Sequence, residues 1–475
     1  MNAPREHFSS KLGFILAAAG SAVGIGNIVG FPVNAAKNGG GAFLLMYAIF
    51  VFAICLPVMI AEMAIGRKTA SNPVGAYSSL TNNDAKWRLA GLLGVITPFM
   101  IGVFYSVITV WIFIYLASAM MGNLDYLASP NGFSEIINNP TYLFSALVAV
   151  AFIVGIILKM GVKDGIERAA RVMMPALFVM LLLLVIFVLT LDNAFAGLKF
   201  YLIPEVSKIN ASVVNGALSQ AFFSLSLGMG ILITYGSYIS KKANIPSSAR
   251  LVAITDTSVA FIAGLMVLPA IFSFNQNVNP NELSDSSVSM IFVFLPKIFL
   301  ALQATVGYFL ASAIASVFFL LVFFAAITSL VSILEVPVAY VMDEKKVSRS
   351  KSLKIILATA GVLTVLCIIS FGLVPWLTEF TSYGGGKTKS LFDVIYDIFY
   401  DTILPLNGLL LCLFVSYRWK KQNLHAELSA GNPGFANSFL AKYVDFSLGT
   451  IIPVVLLVIF INTVAKIYFG HALIG

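Results

Sequence analysis

The feature that most limits what this chain can fold into is the repeated occurrence of long apolar stretches. An α-helix needs about 20 mostly apolar residues to cross the hydrocarbon core of a bilayer, and 59% of the 475 side chains are apolar while 11% are charged. Eleven spans are predicted, near residues 12–36, 41–66, 89–122, 141–158, 168–191, 212–239, 247–273, 308–342, 351–374, 389–418 and 438–469. The pattern predicts an all-α polytopic membrane protein with a single transmembrane domain over residues 1–475. Short helices that cap the pore are expected in the long outer segments, for example within 290–299.

The distribution of basic residues predicts how these spans are oriented. The formal net charge is +8, but the Lys and Arg side chains follow the predicted topology rather than one soluble face, which argues against a nucleic-acid partner. If the N-terminus is cytoplasmic, 22 of the 29 basic residues fall on the inner side. The positive-inside rule therefore predicts a cytoplasmic N-terminus, and an odd number of spans puts the C-terminus outside. We expect a multi-pass protein of the bacterial inner membrane, with the lipid bilayer as its surroundings.

Two of the predicted spans contain runs of small and polar residues that disfavour a continuous helix. Residues 20–27 place three glycines and an asparagine in the first span, and residues 224–230 place two serines and two glycines in the sixth. If spans one to five (12–191) and six to ten (212–418) form two inverted repeats, followed by an eleventh span (438–469), the interruptions occupy corresponding positions. That arrangement is typical of a substrate site at the middle of the membrane. The alternative is that the small residues only allow close helix packing.

Interrupted helices in a membrane need partners for their exposed backbone groups. Each unsatisfied carbonyl or amide in lipid costs several kcal/mol. Carbonyls at the end of one half-helix suit a cation, and the amides at the start of the next suit a carboxylate. A site of this kind therefore favours a zwitterion together with sodium.

The residues around both interruptions resemble the neurotransmitter:sodium symporter family, and in particular its bacterial amino-acid transporters. The resemblance is carried by Ala22-Val23-Gly24-Ile25-Gly26-Asn27, by Phe31-Pro32 and by the segment from Phe222 to Gly230. It continues through Ala325-Ala326-Ile327-Thr328-Ser329 and covers essentially all of spans one to ten. It implies a 5+5 inverted-repeat bundle with broken helices 1 and 6, and a secondary transporter rather than an enzyme.

The resemblance implies two sodium sites. The first would consist of the Ala22 carbonyl, the side chains of Asn27, Ser224 and Asp256, and the substrate carboxylate. The second would consist of the carbonyls of Gly20, Val23 and Ala325 with the hydroxyls of Thr328 and Ser329. Hard oxygen ligands of this kind suit an alkali cation. A single Ser or Thr in a helix can instead hydrogen-bond back to its own backbone.

Asp256 is the most informative of these residues because ionised carboxylates inside a membrane span are costly and usually functional. By resemblance, chloride-dependent relatives have a neutral neighbourhood here and take their negative charge from the anion. Tyr47, Gln220 and Ser224 are expected to surround the built-in carboxylate of this chain. We therefore predict chloride-independent transport, with proton release on the return step as an open question. A carboxylate that neighbouring hydroxyls satisfy without any transport role is the alternative.

The substrate pocket implied by the resemblance has an apolar body and a few polar groups. Gly24 stands where amine-transporting relatives have an Asp, which favours a substrate that brings its own carboxylate. Tyr105 would donate a hydrogen bond to that carboxylate, and Phe223 would act as a lid. The lining is expected to comprise Ser21, Ala22, Ile25, Gly26, Ile101, Tyr105, Phe223, Ser224, Ser226, Met229, Ser329 and Ile333. A medium-sized apolar amino acid is the predicted substrate.

Gates are expected on both sides of the pocket. The inner gate would pair Arg5 with Asp343, near Tyr238, Ser237 and Glu335, and Glu62 is expected to brace the unwound backbone of span one. The outer gate departs from the family pattern, because Gly30 precedes Phe31-Pro32 where an Arg is expected. Asp397, the acidic partner, therefore lacks its cation in this interpretation. Either the lid residues close the outer side alone, or the pocket is remodelled for another substrate.

The sequence favours a sodium-coupled amino-acid symporter over a channel or an enzyme. A channel would need a continuous polar path, and an intramembrane enzyme would need a catalytic set that the three histidines, all outside the predicted core, do not supply. A carrier of another carboxylate-bearing zwitterion or osmolyte, or a substrate sensor of the same fold, stays open. A homodimer is a further partner to consider.

Overall fold

The protein is a helical bundle in which nine continuous helices are long and apolar enough to cross a membrane, within the residues that the computed structural model describes, 6–274 and 290–473. These helices are Gly41–Thr69, Ala85–Met120, Pro140–Lys159, Val162–Val188, Ile245–Ser273, Tyr308–Lys345, Arg349–Ile369, Leu391–Ser429 and Phe439–Phe469. In chain order we call them spans 2, 3, 4, 5, 7, 8, 9, 10 and 11.

The two remaining spans are interrupted, as the sequence predicts. Span 1 consists of half-helix 1a, Lys11–Ala22, and half-helix 1b, Gly26–Lys37, which are bent by 56° at the break. Span 6 consists of half-helix 6a, Ala211–Ser224, and half-helix 6b, Ile231–Gly236. The predicted all-α bundle with broken helices 1 and 6 is confirmed. Counting span 6 as one crossing makes the structure compatible with eleven spans, whereas the division into two repeats stays a prediction.

Several span boundaries differ from the predicted ones by a few residues. Span 9 ends at Ile369, five residues before the predicted end at 374. Span 10 continues past the predicted end at 418 to Ser429, with a break at Lys420, whose φ of 72° separates Lys421–Ser429 from the preceding part of the span. Helix starts are better defined because polar side chains cap them: Asn210, for example, accepts a hydrogen bond from the amide of Val213 at 2.9 Å.

Short helices and one hairpin connect the spans. The predicted outer helices are present as Ala194–Leu202, Met290–Phe294, Leu295–Ala301 and Gln303–Val306, while 275–289 lies outside the described residues. Other short helices are Pro73–Leu80, Leu124–Ala128, Gly132–Ile137 and Pro375–Thr378, with 3₁₀ turns at Val206–Lys208 and Phe435–Asn437. Between spans 9 and 10, strand β1 (Thr381–Tyr383) pairs antiparallel with strand β2 (Lys387–Lys389).

Spans 3 and 8 form the centre of the bundle. In their most apolar windows 78% and 83% of the residues are buried inside the protein, against 28% for span 4 and 33% for span 5. The outer spans therefore present apolar side chains to lipid, since a helix that is apolar all round must face either protein or hydrocarbon. The central pair places its polar residues next to the breaks in spans 1 and 6.

Half-helix 6b packs backbone to backbone against span 2. A Cβ added at Gly66 would collide with the carbonyl of Ile233, and one added at Gly236 would lie 2.6 Å from the carbonyl oxygen of Met63. Glycines at these two positions are what allow the helices to approach so closely, which is a common way of packing helices in membranes. This contact holds the short half-helix in place after the break.

We predict that Gly66→Ala destabilises the protein, because the added methyl group would meet backbone atoms that cannot move aside. Overpacking of this kind costs about 1–3 kcal/mol. The measurement is thermal unfolding of the purified protein in detergent. Gly361→Ala in span 9 is the matched control, since no atom lies within 4 Å of a Cβ there. Equal melting temperatures for the two variants would contradict this packing.

A buried polar site at the two helix breaks

The break in span 1 is stabilised by three side chains, one from half-helix 1b and two from spans 3 and 6. The amide of Gly24 donates to Asn27 Oδ1 at 3.1 Å, and the amide of Ile25 donates to the Tyr105 hydroxyl at 3.3 Å. The carbonyl of Gly26 accepts from Gln220 Nε2 at 3.0 Å. Because buried backbone groups without partners are costly in a membrane, these contacts allow the helix to open between Ala22 and Gly26.

The break in span 6 is supported from spans 2 and 10. The amide of Gly228, at φ 74°, donates to Glu62 Oε1 at 3.0 Å, and its carbonyl accepts from Asn407 Nδ2 at 3.0 Å. The prediction that Glu62 braces span 1 is therefore wrong, because its carboxylate faces the opened turn of span 6. Asn407 was missed by the sequence reasoning, although an amide within the apolar run Leu404–Leu413 was a usable signal.

The two breaks also contact each other. Ser226, with a left-handed φ of 54°, donates from its hydroxyl to the carbonyl of Ser21 at 3.1 Å. The hydroxyl of Ser332 in span 8 donates to Ser21 Oγ at 2.8 Å. Ser21 and Ser226 are among the predicted pocket residues, whereas Ser332 is not among them. The opened turns of both half-helix pairs therefore meet at span 8.

A buried carboxylate with neutral donors lies beside the breaks. Asp256 of span 7 is fully buried and accepts from Asn27 Nδ2 at 2.7 Å and from the Ser224 hydroxyl at 2.8 Å. The hydroxyl of Tyr47 lies 3.1 Å from Asp256 Oδ2. Gln220 was expected in this group but bonds to Gly26 and Asn34 instead. The structure thus brings Asn27, Ser224 and Asp256 together beside the opened turn of span 1, where Asn27 also accepts from the amide of Gly24.

The carboxylate cluster has the chemistry of a cation site. Within the described ranges, no Lys or Arg side chain forms an ion pair or hydrogen bond with Asp256. The donors around it are hydroxyl and amide groups, and none of these donors carries a positive charge. Hard oxygens with net negative charge suit an alkali cation.

The residues of the second predicted cation site also converge. The Ser329 hydroxyl lies 3.4 Å from the carbonyl oxygen of Gly20 and 3.3 Å from that of Val23. The hydroxyl of Thr328 donates to the carbonyl of Ala325 at 3.1 Å, in its own helix. Ser329 therefore reaches across to span 1, whereas Thr328 forms the back-bond that an isolated threonine would form. All five residues lie where spans 1 and 8 touch.

The predicted pocket residues surround the opened turn of span 1. A Cβ on Gly24 would lie 2.9 Å from the Tyr105 hydroxyl and 2.8 Å from Ser329 Oγ, so a larger residue there would require these side chains to shift. A Cβ on Gly26 would lie 2.9 Å from the ring of Phe223. The other predicted lining residues, Ala22, Ile25, Ile101, Met229 and Ile333, are all buried.

The lid residue Phe223 is held by an aromatic ring of span 10. Its ring packs edge-on against that of Tyr400 with 4.3 Å between the ring centroids. The aromatic pair covers the opened turn of span 1 at Gly26. Sequence reasoning missed Tyr400, since nothing in the local pattern of span 10 indicates which ring would reach the lid.

Asp397, the acidic residue of the predicted outer gate, has a cationic partner. Lys389, at the end of strand β2, lies 2.9 Å from Asp397 Oδ2, and the Tyr383 hydroxyl donates to the same oxygen at 2.7 Å. The prediction that Asp397 lacks its cation is therefore wrong. Burial, and then the hydrogen bond to Asp397, raise the pKa of Tyr383 above its ordinary value, so its hydroxyl stays protonated and keeps donating. Lys389 of the hairpin therefore provides the positive charge that is absent at Gly30.

The structure adds one arginine to the residues of the predicted inner gate, and the pairing of Arg5 with Asp343 stays a prediction. Arg5 lies outside the described residues. Asp343 accepts from the amide of Asn72 at 3.0 Å, and the Tyr238 hydroxyl donates to Glu335 Oε1 at 2.8 Å. Glu335 is fully buried and pairs with Arg349 at 2.5 Å. Arg349, at the start of span 9, was missed because only its charge and not its direction can be read from the sequence.

Two bent half-helix pairs meet at buried groups of oxygen atoms that suit a cation, and charged pairs lie on both sides of them. This arrangement is that of a multi-span membrane transporter. The profile of the Sodium:neurotransmitter symporter family matches residues 5–140 and 126–471. The chain belongs to this family, and membership makes it a sodium-coupled secondary transporter and not an enzyme.

Three relatives illustrate the similarity. The sodium-dependent transporter YhdH of Bacillus subtilis is 35% identical over 472 residues, 97% of this chain and 98% of that protein. The human sodium- and chloride-dependent taurine transporter is 27% identical over 340 residues, 62% of this chain and 54% of that protein. The crystal structure of MhsT in complex with L-phenylalanine matches with a TM-score of 0.82 and 38% identity, and the match covers 96% of this chain and 99% of that chain.

The hairpin ion pair generates a prediction for the outer gate. Lys389→Ala should leave Asp397 without its cation and favour opening on that side, whereas Lys387→Ala, at an exposed position on the same strand, should not. The readout is the labelling rate of a cysteine introduced at Ile25, with a maleimide that does not cross the membrane.

A partly exposed pair contributes up to about 1 kcal/mol, so labelling should become faster by up to about fivefold. The native cysteines Cys55, Cys367 and Cys412 are all buried and should contribute little background. Identical rates in the two lysine variants would show that this pair does not hold the outer side closed.

Proposed function

We propose that this chain is a symporter that imports amino acids, most favourably medium-sized apolar ones, together with sodium and without a need for chloride. The observation that carries the proposal is the convergence of both helix breaks on one buried site. Ser226 of span 6 donates to Ser21 of span 1, and Asp256 lies next to the same turn. This arrangement places backbone groups, a carboxylate and an apolar wall within reach of one small zwitterion.

Sodium is proposed as the co-substrate at two places. The first is the cluster of Ala22, Asn27, Ser224 and Asp256, where no Lys or Arg among the described residues forms an ion pair with the carboxyl group. The second is the group of Gly20, Val23, Ala325, Thr328 and Ser329, where carbonyl and hydroxyl oxygens converge between spans 1 and 8. Transport of the substrate is coupled to sodium because the substrate carboxylate would complete the first site.

The preference for an apolar amino acid rests on the walls of the pocket. Ile101, Met229 and Ile333 are buried, and Phe223 covers the opened turn of span 1. Gly24 has no side chain and so offers no acidic partner for an amine, which leaves the substrate carboxylate to supply the negative charge. MhsT, at 38% identity, was crystallised with L-phenylalanine, which supports an amino acid of this class.

Chloride independence is proposed from Asp256. The carboxylate is part of the chain and is surrounded by donors, so the site has its own source of negative charge. The human taurine transporter is named as chloride-dependent, which makes this a point on which members of the family differ. A sensor of the same fold, or a carrier of another zwitterion or osmolyte, is the alternative.

We further propose that the protein lies in the bacterial inner membrane with its N-terminus in the cytoplasm and its C-terminus outside. The excess of Lys and Arg on one side of the spans supports this orientation. The two inverted repeats, 12–191 and 212–418, are part of the same proposal.

The experiment that tests the proposed function is a thermal-shift screen of the purified protein with each of the twenty amino acids, in sodium and then in potassium. One or a few apolar amino acids should raise the melting temperature in sodium only, because ligands stabilise the state that binds them by mass action. Counterflow of the same labelled amino acid in proteoliposomes should follow. Stabilisation without counterflow would indicate a sensor, and no sodium-dependent stabilisation would contradict the proposal.

Asp256 allows a sharper test of the sodium and chloride claims. Uptake by the unaltered protein should be the same when gluconate replaces chloride. Asp256→Asn should weaken the apparent sodium affinity by at least about tenfold, since a unit charge about 4 Å from a cation contributes roughly 4 kcal/mol at an effective dielectric constant of about 20. Asp192→Asn, at an exposed loop position, is the control. Loss of uptake without chloride, or unchanged sodium affinity in Asp256→Asn, would contradict the assignment.

A further inference from the structure

A cavity lies between the end of span 10 and the start of span 11, away from the helix breaks. Its volume is about 510 Å³, and it is lined by residues 415–424 of the one span and 442–450 of the other. A short connection joins the two spans at this end, so both sets of residues lie on the same side of the membrane. The positive-inside prediction places that side in the cytoplasm.

The polar lining of the cavity carries a net positive charge. Lys421 and Lys442 both line it and are exposed, and neither forms an ion pair with a described residue. The acidic lining residue, Asp445, is paired with His425 at 2.8 Å between Nε2 and Oδ1. The two ammonium groups are therefore available to a ligand with negative charge.

The other wall of the cavity is apolar and continues into the lipid-facing surface. Tyr417 and Phe446 line it with 65% and 59% of their surface exposed. The Tyr417 hydroxyl donates to the carbonyl of Gly449 at 3.0 Å and so joins the two spans. Ile451 and Val454 extend the exposed apolar face along span 11. Aromatic side chains of this kind are typical of the membrane interface.

We propose that this cavity binds an anionic phospholipid, with Lys421 and Lys442 contacting the headgroup phosphate and the acyl chains lying along the exposed face of span 11. Basic pockets between membrane helices on the cytoplasmic side are suited to such headgroups. A soluble anion would use only the two lysines, whereas a lipid uses the cationic and the apolar walls together. Charge complementarity and the continuous apolar face therefore favour the lipid.

The test measures lipid binding to the full-length protein by native mass spectrometry in detergent. The probes are dioleoylphosphatidylglycerol, dioleoylphosphatidylcholine and inorganic phosphate. The double variant Lys421→Ala/Lys442→Ala is compared with Lys351→Ala/Lys354→Ala, two exposed lysines at the start of span 9 that lie outside the cavity. Size-exclusion profiles confirm that each variant remains folded.

The unaltered protein should retain phosphatidylglycerol in preference to phosphatidylcholine. Each lysine near an anionic headgroup contributes a factor of about five, so the cavity variant should bind phosphatidylglycerol roughly tenfold or more weakly. The span 9 variant should bind normally, and Lys421→Arg/Lys442→Arg should restore binding. In discs of phosphatidylcholine with and without an equimolar share of phosphatidylglycerol, only the anionic lipid should raise the melting temperature.

Three results would overturn the proposal: unchanged phosphatidylglycerol binding in the cavity variant, an equal loss in the span 9 variant, or equal stabilisation by inorganic phosphate in discs of phosphatidylcholine alone. The last would identify a site for free phosphate. None of these outcomes depends on sodium or on the amino-acid substrate, so the lipid site can fail while the proposed transport function stands, and the reverse also holds.

Discussion

The structure depends on satisfying the backbone of two opened helices inside a membrane. An opened turn exposes carbonyls and amides that water cannot reach, and each costs several kcal/mol if it stays without a partner. Gln220, Glu62 and Asn407 supply partners to Gly26 and Gly228, and they come from spans 6, 2 and 10. The opened turns can persist only because the surrounding spans bring these side chains to them.

This requirement also explains why the polar residues of the protein are concentrated where they are. Spans 3 and 8 are the most buried and hold Tyr105 and Ser329 against span 1, while the outer spans are apolar toward lipid. Packing of half-helix 6b against span 2 through Gly66 removes freedom from the short segment after the break. In a rigid frame of this kind, a small ligand or an ion can bind the polar groups at the breaks that have no other partner. In the proposed mechanism, this shared use of polar groups is the physical basis of coupling.

The charged groups on the two sides of the site are arranged differently from what the sequence pattern predicted. On the outer side, Lys389 of the hairpin replaces the cation expected before Phe31. On the inner side, the buried Glu335 takes Arg349 as its partner. In both cases a basic residue pairs with the acid. It comes from a segment whose position next to the acid cannot be predicted from the local sequence. Lys389 and Arg349 are therefore partners that the structure adds, while the pairing of Arg5 with Asp343 stays a prediction.

The sequence by itself determined which segments cross the membrane, where two of them open, and which polar residues lie at the openings, including Asn27 and Asp256. Those features follow from local composition, because the free energy of transferring a segment into lipid and its tendency to form a helix are set by its own residues. Only the tertiary structure decided that Glu62 supports span 6, that Asn407 and Arg349 belong to the polar contacts, and that Lys389 completes Asp397. These pairings join residues from different segments, and they depend on the direction in which each packed helix presents its side chains, which no local pattern contains.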